Sequence, residues 1–272
     1  MDYKFNKVAV LGTGVMGSQI AAHLTNAGIE VYAFDMTQDV ALEGIEKCKK
    51  LKPSPFYNPK TAEMITVMNY NDHLEKINEC DWVVEAISER IDWKQDLYNR
   101  IIPHLNDNCI ITSNTSGLSL SDLSKGLPEN FLERFFITHF FNPPRYMKLV
   151  EIISSKFTKS DMVNYTDSFL NETLGKNVVH AKDTPNFIAN RIGVYGMMVT
   201  LHESQKRSLS IEDVDSLTGT LIGRPKSATF RTADVVGLDT MCFVSKTAYD
   251  KCPDDPEREI FKLPKYIDEM VE

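Results

Sequence analysis

The sequence predicts an α/β fold: a doubly wound, mostly parallel sheet with helices on both faces, followed by a smaller all-helical domain. Three observations carry this. An apolar run, Val8-Ala9-Val10-Leu11, ends in Gly12-Thr13-Gly14-Val15-Met16-Gly17 and opens at once into a helical pattern. Strand-like runs recur at 8–11, 31–34, 82–87, 110–113, 135–141, 149–153 and 177–181, with helical periodicity between most of them. After Asp183-Thr184-Pro185 the pattern changes, and the remainder reads as nearly all helix.

The first run and the glycines form a G-x-G-x-x-G turn between a strand and a helix. Ile20, Leu24 and Ala27 continue that helix, and Gly28 stops it. The second apolar run closes on Asp35. This is the dinucleotide-binding fingerprint of a Rossmann-type domain in its required context. Gly12 permits the tight turn. Gly14 lets the backbone approach a pyrophosphate held at the helix N-terminus, and Gly17 lets helix and strand pack closely. The cofactor-binding residues expected here are Gly12, Thr13, Gly14, Val15, Met16, Gly17 and Asp35. A carboxylate at Asp35 accepts from the ribose 2′-hydroxyl and repels a 2′-phosphate. Met36, Thr37 and Gln38 follow it with no Arg or Lys, so NAD is expected rather than NADP.

Next comes Lys47-Cys48-Lys49-Lys50-Leu51-Lys52-Pro53-Ser54-Pro55, the basic end of a helix. It reads as a solvated last turn whose lysines complement the helix dipole. Contact with an anionic substrate is the alternative. In open α/β sheets ligands bind at the carboxyl ends of the strands. Asp35, Glu89, Asn114, Ser116, His139 and Asn142 stand at such ends. His139 interrupts one apolar run and Glu151 interrupts the next. A buried carboxylate needs a partner. On adjacent strands, Glu151 would fix the imidazole tautomer and stabilise its charged form. A lone histidine in such a run is as a rule a satisfied core residue; the nearby acid and the dinucleotide fold favour a functional pair. Ser113-Asn114-Thr115-Ser116-Gly117 follows a strand, either as a polar turn or as groups facing the nicotinamide.

The domain boundary falls near 183–186, giving a dinucleotide-binding domain at 1–185 and a helical domain at 186–272. Helices are predicted at 187–206, at 211–221 with Ser210 as N-cap, and at 234–249. Asn190 lies in the first turns of the long helix, where asparagine is a mediocre helix former. Ile192, Val194, Met197, Met198 and Leu201 offer that helix more apolar surface than a small domain can bury, so a homodimer is expected.

Composition sets the limits. The net charge of −8 argues against a nucleic-acid partner, which requires a basic face. The five cysteines are widely spread with no C-x-x-C, which suits a reducing compartment and gives no metal-ligand spacing. No leader or membrane-length apolar span is evident, so cytoplasm is expected and membrane insertion is not.

Several segments resemble the L-3-hydroxyacyl-CoA dehydrogenase family of β-oxidation. They are the glycine motif, V-V-E-A-I-S-E at 83–89, S-N-T-S-G at 113–117, T-H-F-F-N-P-P at 138–144, M-K-L-V-E-I-I at 147–153, K-D-T-P-N-F-I-A-N-R at 182–191 and V-G-L-D-T at 236–240. L-K-P-S-P, the Arg145-Tyr146 pair and G-R-P-K-S at 223–227 resemble the long fusions in which a dehydrogenase precedes an enoyl-CoA hydratase unit. The resemblance implies NAD-dependent oxidation of an acyl-CoA substrate. It makes His139 the general base, Glu151 its partner, and Ser116 and Asn190 the groups holding the substrate oxygen. Asp35, Glu89 and Lys94 would contact NAD, with Asn142 near the nicotinamide. It also implies dimers through the helical region. Two departures stand out: the family's G-x-K-T-G-x-G-F-Y segment is not among these residues, so the helical domain reads as cut short, and the stretch between Asp35 and Glu85 is too short for the helical hairpin that helps hold CoA in single-function relatives. The alternatives are a dehydrogenase of a free hydroxy acid and a non-catalytic NAD-binding interaction domain.

Overall fold

The structure, a computed structural model, describes residues 3–271. Its contacts divide the chain into two units, with the division between Asp183 and Thr184.

The first unit is built on one eight-stranded sheet. In chain order it contains β1 (Lys7–Leu11), α1 (Val15–Asn26), β2 (Glu30–Asp35), α2 (Gln38–Lys49), β3 (Ile65–Asn69), β4 (Trp82–Glu85), α3 (Ile91–Ile101), β5 (Ile110–Ser113), α4 (Leu120–Leu123), α5 (Glu129–Leu132), β6 (Phe135–Phe140), β7 (Leu149–Ile153), α6 (Ser160–Glu172) and β8 (Asn177–His180). The sheet order is β3-β2-β1-β4-β5-β6-β7-β8. Every pairing is parallel except β6 with β7. The order reverses between β1 and β4, which opens the crevice where such sheets take their ligands.

The apolar runs become central strands because they are covered on both faces. Val8, Val10, Ile20, Leu24, Val31, Val84, Ile110, Phe136 and Ile152 share one core. Polar side chains at the centre of the sheet bond to one another: Trp82 Nε1 donates to Thr112 Oγ1 at 2.9 Å, and Thr138 Oγ1 donates to the same oxygen at 2.8 Å. The sequence did not point to β3. Ile65-Thr66-Val67-Met68-Asn69 is a half-covered edge strand between two 3₁₀ turns, Pro59–Met64 and Leu74–Glu79, so its apolar signal is weak.

The second unit contains α7 (Ala189–Lys206), α8 (Ile211–Thr218), α9 (Phe230–Val236), α10 (Leu238–Lys251) and α11 (Lys265–Val271). Met198, Leu201, Val214, Phe230, Met241 and Phe261 lie in its core. Three helix expectations need correction. The helix expected from 187 begins at Ala189, because Asn186 and Phe187 have φ of 63° and 50°. The helix expected over 211–221 ends at Thr218 and gives way to a 3₁₀ turn at Thr220–Ile222. The helix expected over 234–249 is two helices broken at Gly237, whose φ is 100°. Ser210 caps α8 in a reciprocal box with Asp213.

No helix among the described residues is long and apolar enough to cross a membrane. The five cysteines are free thiols, and burial pushes Cys48 up to about 11 and Cys80 up to about 12.

His23 of α1 is buried, and neither ring nitrogen meets a partner at full hydrogen-bond geometry. Burial holds its pKa down to about 3; Lys176 and Arg145 add to the effect and the Leu174 carbonyl opposes it. The folded chain therefore keeps a neutral imidazole, while the unfolded chain protonates at the ordinary value. This stability is complete above about pH 6.5 and is lost as pH falls toward 3. At pH 5 the loss relative to pH 7 is about 2 kcal/mol. His23→Leu should lack this part of the acid slope. Urea unfolding at pH 7 and pH 5 measures it; an equal fall in both proteins would contradict the assignment.

Candidate active site

The site is assembled on the carboxyl edge of the first unit's sheet. After β1 the chain turns at Gly12, whose amide donates to the Phe34 carbonyl at 2.8 Å. A Cβ on Gly17 would lie 1.9 Å from the Gly12 carbonyl oxygen, so α1 can approach the turn only with glycine there. A Cβ on Gly14 would meet nothing within 4 Å: the first turn of α1 opens onto unobstructed space. That turn carries no acidic residue and no side-chain cap. Its amides and its dipole therefore suit a pyrophosphate. Val15 is exposed at this mouth, and Met16 packs against the core. Thr13 and Asp35 are joined directly: the Thr13 amide and hydroxyl both donate to Asp35 Oδ2, at 2.7 and 2.6 Å. These residues fit an adenine dinucleotide with a free ribose 2′-hydroxyl.

At the end of β4, Glu85 is completely buried. Its carboxylate accepts from Ile87 N at 2.8 Å, Lys94 Nζ at 2.5 Å, Tyr98 Oη at 2.7 Å and Ser113 Oγ at 2.6 Å. Burial and the Glu85 charge push the Tyr98 hydroxyl well above the usual tyrosine value, so it remains a donor. Lys94 is also fully buried, and its ammonium makes a second bond to the Ile87 carbonyl at 3.2 Å. The resemblance assigns Lys94 to the cofactor; in the structure two of its three N–H donors go to Glu85 and the Ile87 carbonyl. Glu89, exposed at the mouth, accepts from Thr115 Oγ1 at 2.7 Å and from the Ser116 amide at 3.0 Å. It thereby sets the loop that carries Ser116.

His139 and Glu151 face each other in the antiparallel pairing of β6 and β7. His139 Nδ1 lies 2.8 Å from Glu151 Oε2, with both side chains buried. The Phe141 ring packs 4.3 Å from the imidazole, centroid to centroid. Asn114 Oδ1 accepts from the Phe140 amide at 2.9 Å, which ties the Ser116 loop to the strand that bears His139. Asn142 Oδ1 accepts from Gln19 Nε2 of α1 at 3.0 Å. Asn190 is the second residue of α7 and belongs to the other unit.

Sequence reasoning missed Glu85, Tyr98 and Gln19, and read Ser113 as part of a polar turn or nicotinamide-facing cluster without seeing its bond to Glu85. The available signal was an acid at the end of an apolar run with a lysine nine positions later. A buried glutamate needs a partner, and Lys94 lies in the first turn of the following helix.

Residues 7–184 match the family model for the 3-hydroxyacyl-CoA dehydrogenase NAD binding domain, and residues 187–272 match the model for the 3-hydroxyacyl-CoA dehydrogenase C-terminal domain. A Bacillus subtilis (strain 168) protein named "Probable 3-hydroxyacyl-CoA dehydrogenase" is 44% identical over 293 residues, covering 100% of this chain and 37% of its own length. A Rickettsia prowazekii (strain Madrid E) protein named "Putative fatty acid oxidation complex trifunctional enzyme" is 36% identical over 280 residues, covering 100% of this chain and 39% of its own length. The chain thus spans less than half the length of these two relatives. The solved structure of (S)-3-hydroxybutyryl-CoA dehydrogenase from Ralstonia eutropha matches with a TM-score of 0.83 at 26% identity, over 98% of this chain and 94% of that chain.

The buried ion pair generates a stability prediction. Lys94→Met strands the Glu85 carboxylate without its counter-charge, which should cost about 3–5 kcal/mol. Ser113→Ala removes one of the carboxylate's neutral donors and should cost about 1–3 kcal/mol. Chemical denaturation of both variants gives the order, and a Lys94→Met protein as stable as wild type would refute it.

Proposed function

The chain belongs to the 3-hydroxyacyl-CoA dehydrogenase family, and from that membership we propose that it interconverts L-3-hydroxyacyl-CoA and 3-ketoacyl-CoA thioesters with NAD, a step of β-oxidation. The observation that carries this reading is the buried His139–Glu151 pair, on the sheet edge that also bears the glycine loop. With Nδ1–H donating to Glu151, the imidazole lone pair is on Nε2. His139 takes the C3 hydroxyl proton there during oxidation and returns it during reduction. Glu151 holds the tautomer and balances the imidazolium that forms. The bound nicotinamide supplies the hydride acceptor or donor for C3. Ser116, on the loop set by Glu89, donates to the substrate oxygen. Asn190 is assigned to the same oxygen on its motif alone. Asp35 reads the adenosine ribose, and Asn142 lies toward the nicotinamide. Glu89 and Lys94 are assigned to NAD on their motif, with Lys94 also held by Glu85 and the Ile87 carbonyl.

The apolar excess expected on α7 is mostly absorbed, since Val194, Met198 and Leu201 are buried in the unit's own core and Met197 packs on it, leaving Ile192 exposed; the unit also exposes Leu221, Ile222, Val235, Val236 and Phe243. Scattered single residues of this kind are ordinary, but so many on one small helical unit favour association. The reading therefore includes a homodimer formed through this unit, in a reducing cytoplasm, joined to or associated with an enoyl-CoA hydratase unit.

The function is tested by NADH consumption with a panel of 3-ketoacyl-CoA thioesters and the matching free 3-keto acids. Turnover of the thioesters alone is expected; preference for the free acids would replace this reading with a hydroxy-acid dehydrogenase. His139→Gln should lower kcat by about 10²–10⁴-fold with NADH binding nearly unchanged. Light scattering at micromolar concentration should return twice the chain mass, and a monomer mass would remove the dimer.

A further inference from the structure

Thr13 holds more than a place in a glycine loop. Its side chain is 3% exposed, and its hydroxyl and amide both donate to Asp35 Oδ2, at 2.6 and 2.7 Å. Asp35 Oδ1 accepts from the Met36 amide at 2.8 Å. The carboxylate is thus clamped before any cofactor arrives. The Val40 carbonyl, 3.4 Å from Thr13 Oγ1, is a secondary neighbour, because a hydroxyl has one proton to give.

The far side of Thr13 is closed by α2. Gly44 sits within that helix, where glycine is less favourable than alanine by about 1 kcal/mol. A Cβ at Gly44 would lie 2.3 Å from the Thr13 carbonyl oxygen, 2.7 Å from Oγ1 and 2.8 Å from Cβ. Any larger residue would push Thr13 off Asp35. The glycine in α2 and the threonine in the loop are therefore parts of one arrangement, which otherwise has no reason to tolerate a helix-interior glycine.

We propose that Thr13, backed by Gly44, is a positioning residue that sets nicotinamide-dinucleotide specificity by holding the Asp35 carboxylate where it accepts from the ribose 2′-hydroxyl and repels a 2′-phosphate. The inference rests on the reading of Asp35 as the ribose acceptor. A freely rotating carboxylate would still carry its charge. It would lose the fixed direction that makes a charged hydrogen bond strong.

The test titrates NADH and NADPH against the full chain by nicotinamide fluorescence, with no acyl-CoA present, so it is independent of the substrate assignment. The proteins are wild type, Thr13→Val, Thr13→Ser and Asp35→Ala. Thr13→Val should weaken NADH by roughly tenfold, the scale of one hydrogen bond to a charged group, with NADPH little changed. Thr13→Ser, which restores the hydroxyl, should keep the wild-type NADH/NADPH ratio. A purely structural role would lower the thermal midpoint and leave the ratio alone. A wild-type ratio in Thr13→Val, or equal loss in Thr13→Ser, overturns the proposal. If Asp35→Ala collapses the ratio while Thr13→Val does not, the Thr13 role alone falls. If Asp35→Ala also leaves the ratio unchanged, the ribose reading fails and takes the proposal with it.

Discussion

A carboxylate with no access to water sits at the end of β4, and much of the first unit is arranged around it. Glu85 draws donors from its own following turn, from two positions on α3 and from the end of β5. Burying that charge is affordable only while these partners remain in place. The consequence reaches beyond the carboxylate. Ser113 also accepts from the Thr115 amide, Thr115 donates to Glu89, and Glu89 fixes the Ser116 amide. Asn114 donates its amide to the Glu85 carbonyl and accepts from Phe140, beside His139. The loops at the carboxyl edge are thereby hung from a core that cannot relax piecemeal.

Charge is distributed on that edge in a way that suits an anionic cofactor in an acidic chain. Asp35, Glu85, Glu89 and Glu151 all lie there, yet each is engaged by donors or aimed at a hydroxyl or imidazole partner. α2 and α3 carry Asp39 and Asp92 in their first turns, whereas α1 carries no acid there. Among the described α-helices of the first unit, the one whose first turn carries no acid is the one that opens from the glycine loop, where a pyrophosphate would supply the negative charge.

Much of this was legible in the residues, for identifiable reasons. The glycine loop reads clearly because backbone geometry leaves almost no other residue that fits there. The central strands read clearly because burial on both faces demands unbroken β-branched and aromatic runs. β3 did not, because an edge strand between 3₁₀ turns has only one well-covered end. Glu85 was visible as a letter in V-V-E-A, but its partners come from three elements that only the fold brings together. The Lys94 bond to Glu85 was hidden for the same reason: a lysine's position in a motif does not say which acid lies beneath it. The break at Gly237 was hidden because helix lies on both sides of it and the helical period does not register a change of direction.

The reversal of β7 has a further consequence. His139 and Glu151 are direct cross-strand partners, and side chains on a strand alternate between faces. A slip of β7 by one position would carry Glu151 to the opposite face while leaving most of the sheet's apolar contacts plausible. Such a molecule would be compact and would still present its glycine loop, yet it would lack the His139–Glu151 pair on which the proposed chemistry rests. If the proposed His139–Glu151 chemistry holds, threading of one antiparallel ladder is a proofreading step: the active fraction of a refolded sample would count chains in the right register, a quantity that compactness and cofactor binding alone would miss.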